Sequence, residues 1–136
     1  MFRRTPVDPQ LSRVPLFEGL SSRELAAVTK LSTPVVVPAG KVLAEEGTFG
    51  AEMFIVLEGR VDVLQGDQVV ATRGAGAPLG EIALLGDRPR TATLVTTTPV
   101  NTLVLSRQEL SSMLAAAPLV SERLEATMAN RLGLAA

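Results

Sequence analysis

A chain of 136 residues with 13 basic and 14 acidic side chains has a net charge of −1. That length suits one domain with a single core. The near-neutral balance argues against a protein whose main task is gripping nucleic acid, because such domains carry a basic footprint. Cysteine and histidine are both absent, which removes disulfides, thiolate chemistry and the commonest general base and metal ligand. The expectation is a protein that is not an enzyme and that needs no metal and no cofactor.

Residues 1–13 are proline-rich and polar and read as a loosely held N-terminal arm. The pair Arg3-Arg4 could open a twin-arginine signal, but Pro6, Asp8, Pro9 and Gln10 interrupt any apolar segment after it. No signal peptide and no membrane span is expected, so the default location is the cytoplasm. The domain proper is expected over 14–136. Ser21-Ser22-Arg23-Glu24 is a capping-box pattern. Leu25, Val28 and Leu31 follow at helical spacing, which predicts a helix over about 22–31, ended by Pro34.

From about 33 to 105 the texture changes to short β-rich runs. They are Val35 to Val37, Val42 to Ala44, Met53 to Leu57, Val61 to Leu64, Val69 to Thr72, Ala92 to Thr96 and Thr102 to Leu105. Turn residues such as Gly40, Gly47, Gly59 and Gly66-Asp67 separate them. Strands at this spacing indicate an antiparallel sandwich or barrel. Met53 to Leu57 is apolar at every position, as a strand covered on both faces would be. Gly74-Ala75-Gly76-Ala77-Pro78 interrupts the pattern and reads as a flexible approach to a ligand loop. After the strands, Ser106-Arg107-Gln108-Glu109 is a second capping box, opening a helix to about Ala116. Pro118 suits the first turn of a last helix to about Leu132. Val120, Leu124, Met128 and Leu132 recur along that helix every four residues, and Gly133 is a plausible cap.

The most informative stretch is Leu79-Gly80-Glu81-Ile82-Ala83-Leu84-Leu85, followed by Arg90-Thr91-Ala92. Gly80 lets backbone approach a ligand closely, having no side chain to clash. A helix opened by Glu81 offers free N–H groups and the positive end of a dipole, which suits a phosphate. Beyond the loop Gly86-Asp87-Arg88-Pro89, the Arg90 guanidinium can return to that phosphate in a charge-assisted pair. Phosphate would repel Glu81, whose better partner is a sugar hydroxyl. Alone, Gly80-Glu81 would be a turn with a solvated carboxylate, and Arg90 a surface arginine. Their joint spacing inside a barrel pattern carries the binding reading.

Residues 79–96 also resemble the phosphate-binding cassette of cyclic nucleotide-binding domains. Gly47-Thr48-Phe49-Gly50, Met53 to Val56 and Gly59 are similar to the family's glycine-punctuated barrel, and Val14-Pro15-Leu16-Phe17 to its helical entry. The resemblance implies a mainly β fold with flanking helices: an eight-stranded antiparallel jelly roll with an N-terminal helix and two C-terminal helices. It implies a sensor for a 3′,5′-cyclic mononucleotide, cyclic AMP first and cyclic GMP second. The ligand-binding residues would be Leu79, Gly80, Glu81, Ile82, Ala83, Arg90, Thr91 and Ala92. Phosphate would meet Arg90, the Ala83 N–H and Thr91, while Glu81 takes the ribose 2′-hydroxyl. Thr91 also permits guanine in the syn form.

Relatives often cover the base with an aromatic or large aliphatic side chain from the C-terminal helix. With no Trp or Tyr in the chain, the cap falls to Leu124, Met128 or the stem of Arg123 or Arg131. Ligand binding would switch the arrangement of the C-terminal helices. A protein effector of unspecified kind is implied and a homodimer is compatible, with no nucleic acid and no membrane as partner. The rival readings are a ligand-independent interaction module, a transcription regulator lacking its DNA-binding part, and the sensor of a channel or kinase.

Overall fold

In the computed structural model, residues 11–132 are described. Most of the expected arm and the cap at Gly133 lie outside them. Leu11–Arg13 form a single 3-10 turn, and Leu11 is buried in the core. Of these three residues, Leu11 is packed while Ser12 and Arg13 are exposed. A second 3-10 turn, Pro15–Phe17, buries Leu16 and Phe17.

Helix α1 spans Ser22–Leu31, the range predicted by its cap and periodicity. The Ser21 hydroxyl accepts the Glu24 N–H at 3.1 Å, and the Glu24 carboxylate accepts the Ser21 N–H at 2.9 Å. Eight strands follow: β1 Thr33–Val37, β2 Val42–Ala44, β3 Glu52–Glu58, β4 Val61–Gln65, β5 Gln68–Arg73, β6 Pro78–Leu79, β7 Thr93–Thr96 and β8 Val100–Ser106. Helix α2, Glu81–Leu85, interrupts them between β6 and β7. Helices α3, Arg107–Ala116, and α4, Pro118–Arg131, close the chain.

The strands form two antiparallel sheets of four, ordered β1-β8-β3-β6 and β2-β7-β4-β5. The result is the expected jelly-roll architecture with flanking helices. Strand β3 explains why its sequence is apolar throughout. Successive side chains of a strand point to opposite faces. Met53 and Ile55 join a core shared with Val28, Leu110, Met113 and Leu124 of the helices. Phe54 and Val56 join a second core with Val61, Leu79, Leu94 and Val100. One strand thus belongs to both cores, so neither face tolerates a polar residue.

Strand β6 was hidden in the segment read as a flexible approach. Gly76, at φ +91°, turns the chain, and its N–H donates to the Val56 carbonyl at 2.7 Å. The Val56 N–H in turn donates to Ala77 at 3.0 Å. Leu79 then pairs with Phe54, and Pro78 with Ile55, at the edge of the sheet. A proline is tolerated at an edge because no ladder bond needs its missing N–H. The approach to the cassette is a tethered edge strand, which fixes where Gly80 begins.

Candidate ligand-binding site

Leu79 is buried at the end of β6, and the chain reverses at Gly80, whose φ is +83°. That left-handed conformation strains any residue with a Cβ. A Cβ there would also lie 2.5 Å from Arg90 Nη1 and 3.3 Å from the Glu52 carbonyl oxygen. Glycine is needed twice over. Helix α2 starts immediately after and buries Glu81, Ile82, Ala83 and Leu84. Its first N–H groups have no partner in the preceding turn. The loop back to β7 passes Asp87, at φ 47°, and the exposed Arg88.

Arg90 is 7% exposed. Its N–H donates to the Thr48 carbonyl at 2.7 Å, and its own carbonyl accepts the Gly47 N–H at 2.9 Å. The loop before β3 therefore holds its backbone. The guanidinium donates through Nη2 to the Glu52 carbonyl at 2.7 Å and through Nη1 to the Gly80 carbonyl at 3.5 Å. It lies so close over Gly50 that a Cβ there would stand 2.0 Å from Nε. Burial lowers its pKa and the nearby Glu52 charge raises it. Among the described residues the ion pairs are Arg107–Asp87 and Arg131–Glu81, and Arg90 is in neither. A nearly buried cation held only by carbonyl oxygens can accept an anion.

Glu81 is fully buried. Its Oε1 accepts from Arg131 Nη1 at 2.6 Å, and the same nitrogen donates to the Pro78 carbonyl at 2.5 Å. Its Oε2 is buried without a hydrogen-bond partner. A buried carboxylate oxygen left so is costly and offers a ready acceptor for a hydroxyl donor. Helix α4 is thereby latched to the cassette through Arg131.

All eight residues selected from the cassette pattern line one cavity of about 200 Å³. Across from them stand Val63, Val70 and Leu94, an apolar wall on the second sheet. Of the four cap candidates, only Arg131 lines this cavity. Leu124 is fully buried in the helix-side core. Arg123 turns to the N-terminal turns, donating to the carbonyls of Pro15, Leu16 and Glu18. Met128 is half-buried outside both the core clusters and the cavity. The stripe at every fourth position is chiefly a packing face at Val120 and Leu124, and neither Leu124 nor Arg123 lines the cavity. Sequence reading missed Arg73, which also lines the cavity. Alternation along β5 from Ala71 places it on the same face, and that period was the available signal.

Comparisons with known proteins give the family. The family model described as "Cyclic nucleotide-binding domain" matches residues 34–117. The chain belongs to that family. A cyclic nucleotide-gated potassium channel from Rhizobium etli is 36% identical over 123 residues, which are 90% of this chain and 34% of the channel. A CRP-like cAMP-activated global transcriptional regulator from Mycobacterium tuberculosis is 30% identical, over 93% of this chain and 58% of the regulator. The crystal structure of the Thermus thermophilus catabolite activator protein superposes with a TM-score of 0.77 at 30% identity, over 87% of this chain and 58% of that one. This cyclic nucleotide-binding domain thus spans between a third and six tenths of these relatives. Among its described residues no helix is long and apolar enough to cross a membrane, and no cluster of three His, Cys, Asp or Glu could hold a metal.

Proposed function

We propose that this domain is a non-catalytic sensor that binds a 3′,5′-cyclic mononucleotide, cyclic AMP first and cyclic GMP second. One observation carries the reading. A nearly buried guanidinium without a carboxylate partner, Arg90, shares a cavity with the unpartnered carboxylate oxygen of Glu81. A cyclic ribose phosphate supplies the missing anion and the missing donor together. The phosphate sits against Arg90, the Ala83 N–H and Thr91, and the ribose 2′-hydroxyl donates to Glu81 Oε2. The purine lies along Val63, Val70 and Leu94, with the stem of Arg131 as its cover. The work is regulatory: the ligand acts on the C-terminal helices and, through them, on a protein effector. It shifts their equilibrium only by its differential affinity for the two arrangements. Cyclic AMP is placed first because the named regulator among the relatives is cAMP-activated. The setting is cytoplasmic.

The Arg131–Glu81 pair favours one rival, because it partly satisfies the site without a ligand. On that reading the domain is a ligand-independent interaction module. A thermal-shift titration separates the two. A ligand at about 100 times its dissociation constant adds roughly 2.7 kcal/mol to the native state. The melting point is expected to rise by several degrees with cyclic AMP and much less with 5′-AMP, whose linear phosphate is larger and more charged. An unmoved melting curve with every cyclic nucleotide at saturation would favour the ligand-independent module.

A sugar comparison tests Glu81. The wild type is expected to prefer cyclic AMP over its 2′-deoxy analogue, and Glu81→Ala to lose affinity for the ribo ligand only. Equal binding of both sugars by the wild type would remove Glu81 from the ribose.

A further inference from the structure

The cassette cavity has a neighbour. A second cleft of about 360 Å³ is lined by Arg73, Thr127, Asn130 and Arg131. Arg73 and Arg131 line both spaces, whereas Arg90 lines only the first. The second cleft differs in chemistry from the first. Its lining residues are two arginines, an asparagine and a threonine, with no Val or Leu side chain of the kind that walls the first cavity. Arg73 is half-buried, and its Nε is buried without a hydrogen-bond partner. Both hydrogen bonds of Arg131 run through Nη1, which leaves the rest of its fork available.

We propose that Arg73, Arg131, Asn130 and Thr127 form a second anion subsite, which takes a phosphate group beside the cassette. Two guanidinium groups face one carboxylate here, so the cluster carries an excess positive charge that a phosphate at Arg90 does not neutralise. Burial and the nearby Arg131 charge both lower the pKa of Arg73, while Glu81 raises it. An anion between the two arginines relieves their repulsion and supplies the acceptor that Arg73 Nε lacks. The Asn130 amide adds a hydrogen bond to one of its remaining oxygens, while the Thr127 hydroxyl, which donates to the Arg123 carbonyl at 3.0 Å, only lines the cleft. The phosphate comes either from solution or from the ligand itself, as the second phosphodiester of a cyclic dinucleotide. The subsite does not depend on the mononucleotide reading, because Arg90 is not part of it.

The test is an amide chemical-shift titration of the whole chain with inorganic phosphate, cyclic AMP and cyclic diadenylate. Phosphate is expected to move the amides of residues 73, 127, 130 and 131 with millimolar affinity. Arg73→Gln should weaken that binding at least tenfold. Arg73→Lys, which keeps the charge and loses the fork, should weaken it less. Arg90→Gln should leave it in place, as should Arg88→Gln in the exposed loop. If the ligand supplies the phosphate, cyclic diadenylate binds at least tenfold tighter than cyclic AMP, and Arg73→Gln abolishes that advantage. Phosphate binding without any such advantage assigns the subsite to the free anion. No phosphate-induced shift at residues 127 and 130, or equal weakening by Arg73→Gln and Arg88→Gln, overturns the proposal. Failure of the mononucleotide reading shows separately, as cyclic AMP leaving the amides of Ala83 and Thr91 unmoved.

Discussion

Arg90→Ala is expected to weaken cyclic nucleotide binding by roughly 30-fold to more than 1,000-fold. Removing the partner of a largely desolvated charge costs about 2–5 kcal/mol, and about 1.4 kcal/mol is a factor of ten. The guanidinium is nearly buried and has no carboxylate in contact, whereas Arg131, another cation lining the cavity, is engaged with Glu81. The fold should suffer little. The arginine's side-chain hydrogen bonds run to two carbonyls, of Glu52 and Gly80, and such bonds contribute on the order of 1 kcal/mol each. Arg88→Ala is the matched control, since Arg88 is exposed in the loop before it. Calorimetric titration with cyclic AMP decides the matter, and equal effects at positions 88 and 90 would defeat the assignment.

Leu124→Ala has the largest expected effect on stability. This side chain is fully buried in the core that also holds Val28, Met53, Leu110 and Met113, and helix α4 packs on α3 and on the Pro15–Phe17 turn. Truncating a buried leucine removes its transfer free energy and leaves a cavity, at a cost of about 2–5 kcal/mol. A domain of this length should lose several degrees of melting temperature for each kcal/mol. The folded fraction should bind cyclic nucleotide with little change, because Leu124 does not line the cavity. Met128→Ala, one turn further on at a half-buried position, should cost less. Melting curves and affinities of the two variants together test whether the stripe is core. A Leu124→Ala protein that melts normally but binds weakly would return the residue to the ligand.

The packing that separates these two effects also bears on how the helix communicates with the cassette. Helix α4 is fixed to the body at Val120 and Leu124 and through the three carbonyls that Arg123 engages. It touches the cassette at its far end, through Arg131. A ligand whose 2′-hydroxyl takes Oε2 of Glu81 would act on a carboxylate that the helix already holds by Oε1. Under the proposed switching, the segment placed to respond is the last turns of α4, beyond Leu124, rather than the whole helix.

Much of this molecule is written locally. Two capping boxes, Ser21/Glu24 and Ser106/Glu109, set helix starts that the structure reproduces, because a cap is made by residues three apart. The apolar run of β3 announced a strand with two covered faces, since alternation leaves no face for solvent. Gly80, Glu81 and Arg90 stood out because close backbone approach, a helix start and a returning guanidinium each need a particular residue type at a fixed spacing. Tertiary structure decided the rest. Strand β6 is two residues long and has a ladder only because β3 lies beside it. A period of four along α4 is the same for a lid and for a core face, and only the tertiary placement of α4 on α3 and the Pro15–Phe17 turn makes Leu124 core. Arg131 meets Glu81 fifty residues away in sequence, and Arg73 enters the cavity from another sheet. Long-range charge pairing has no local signature, because it depends on where whole elements are carried rather than on any residue's neighbours in the chain.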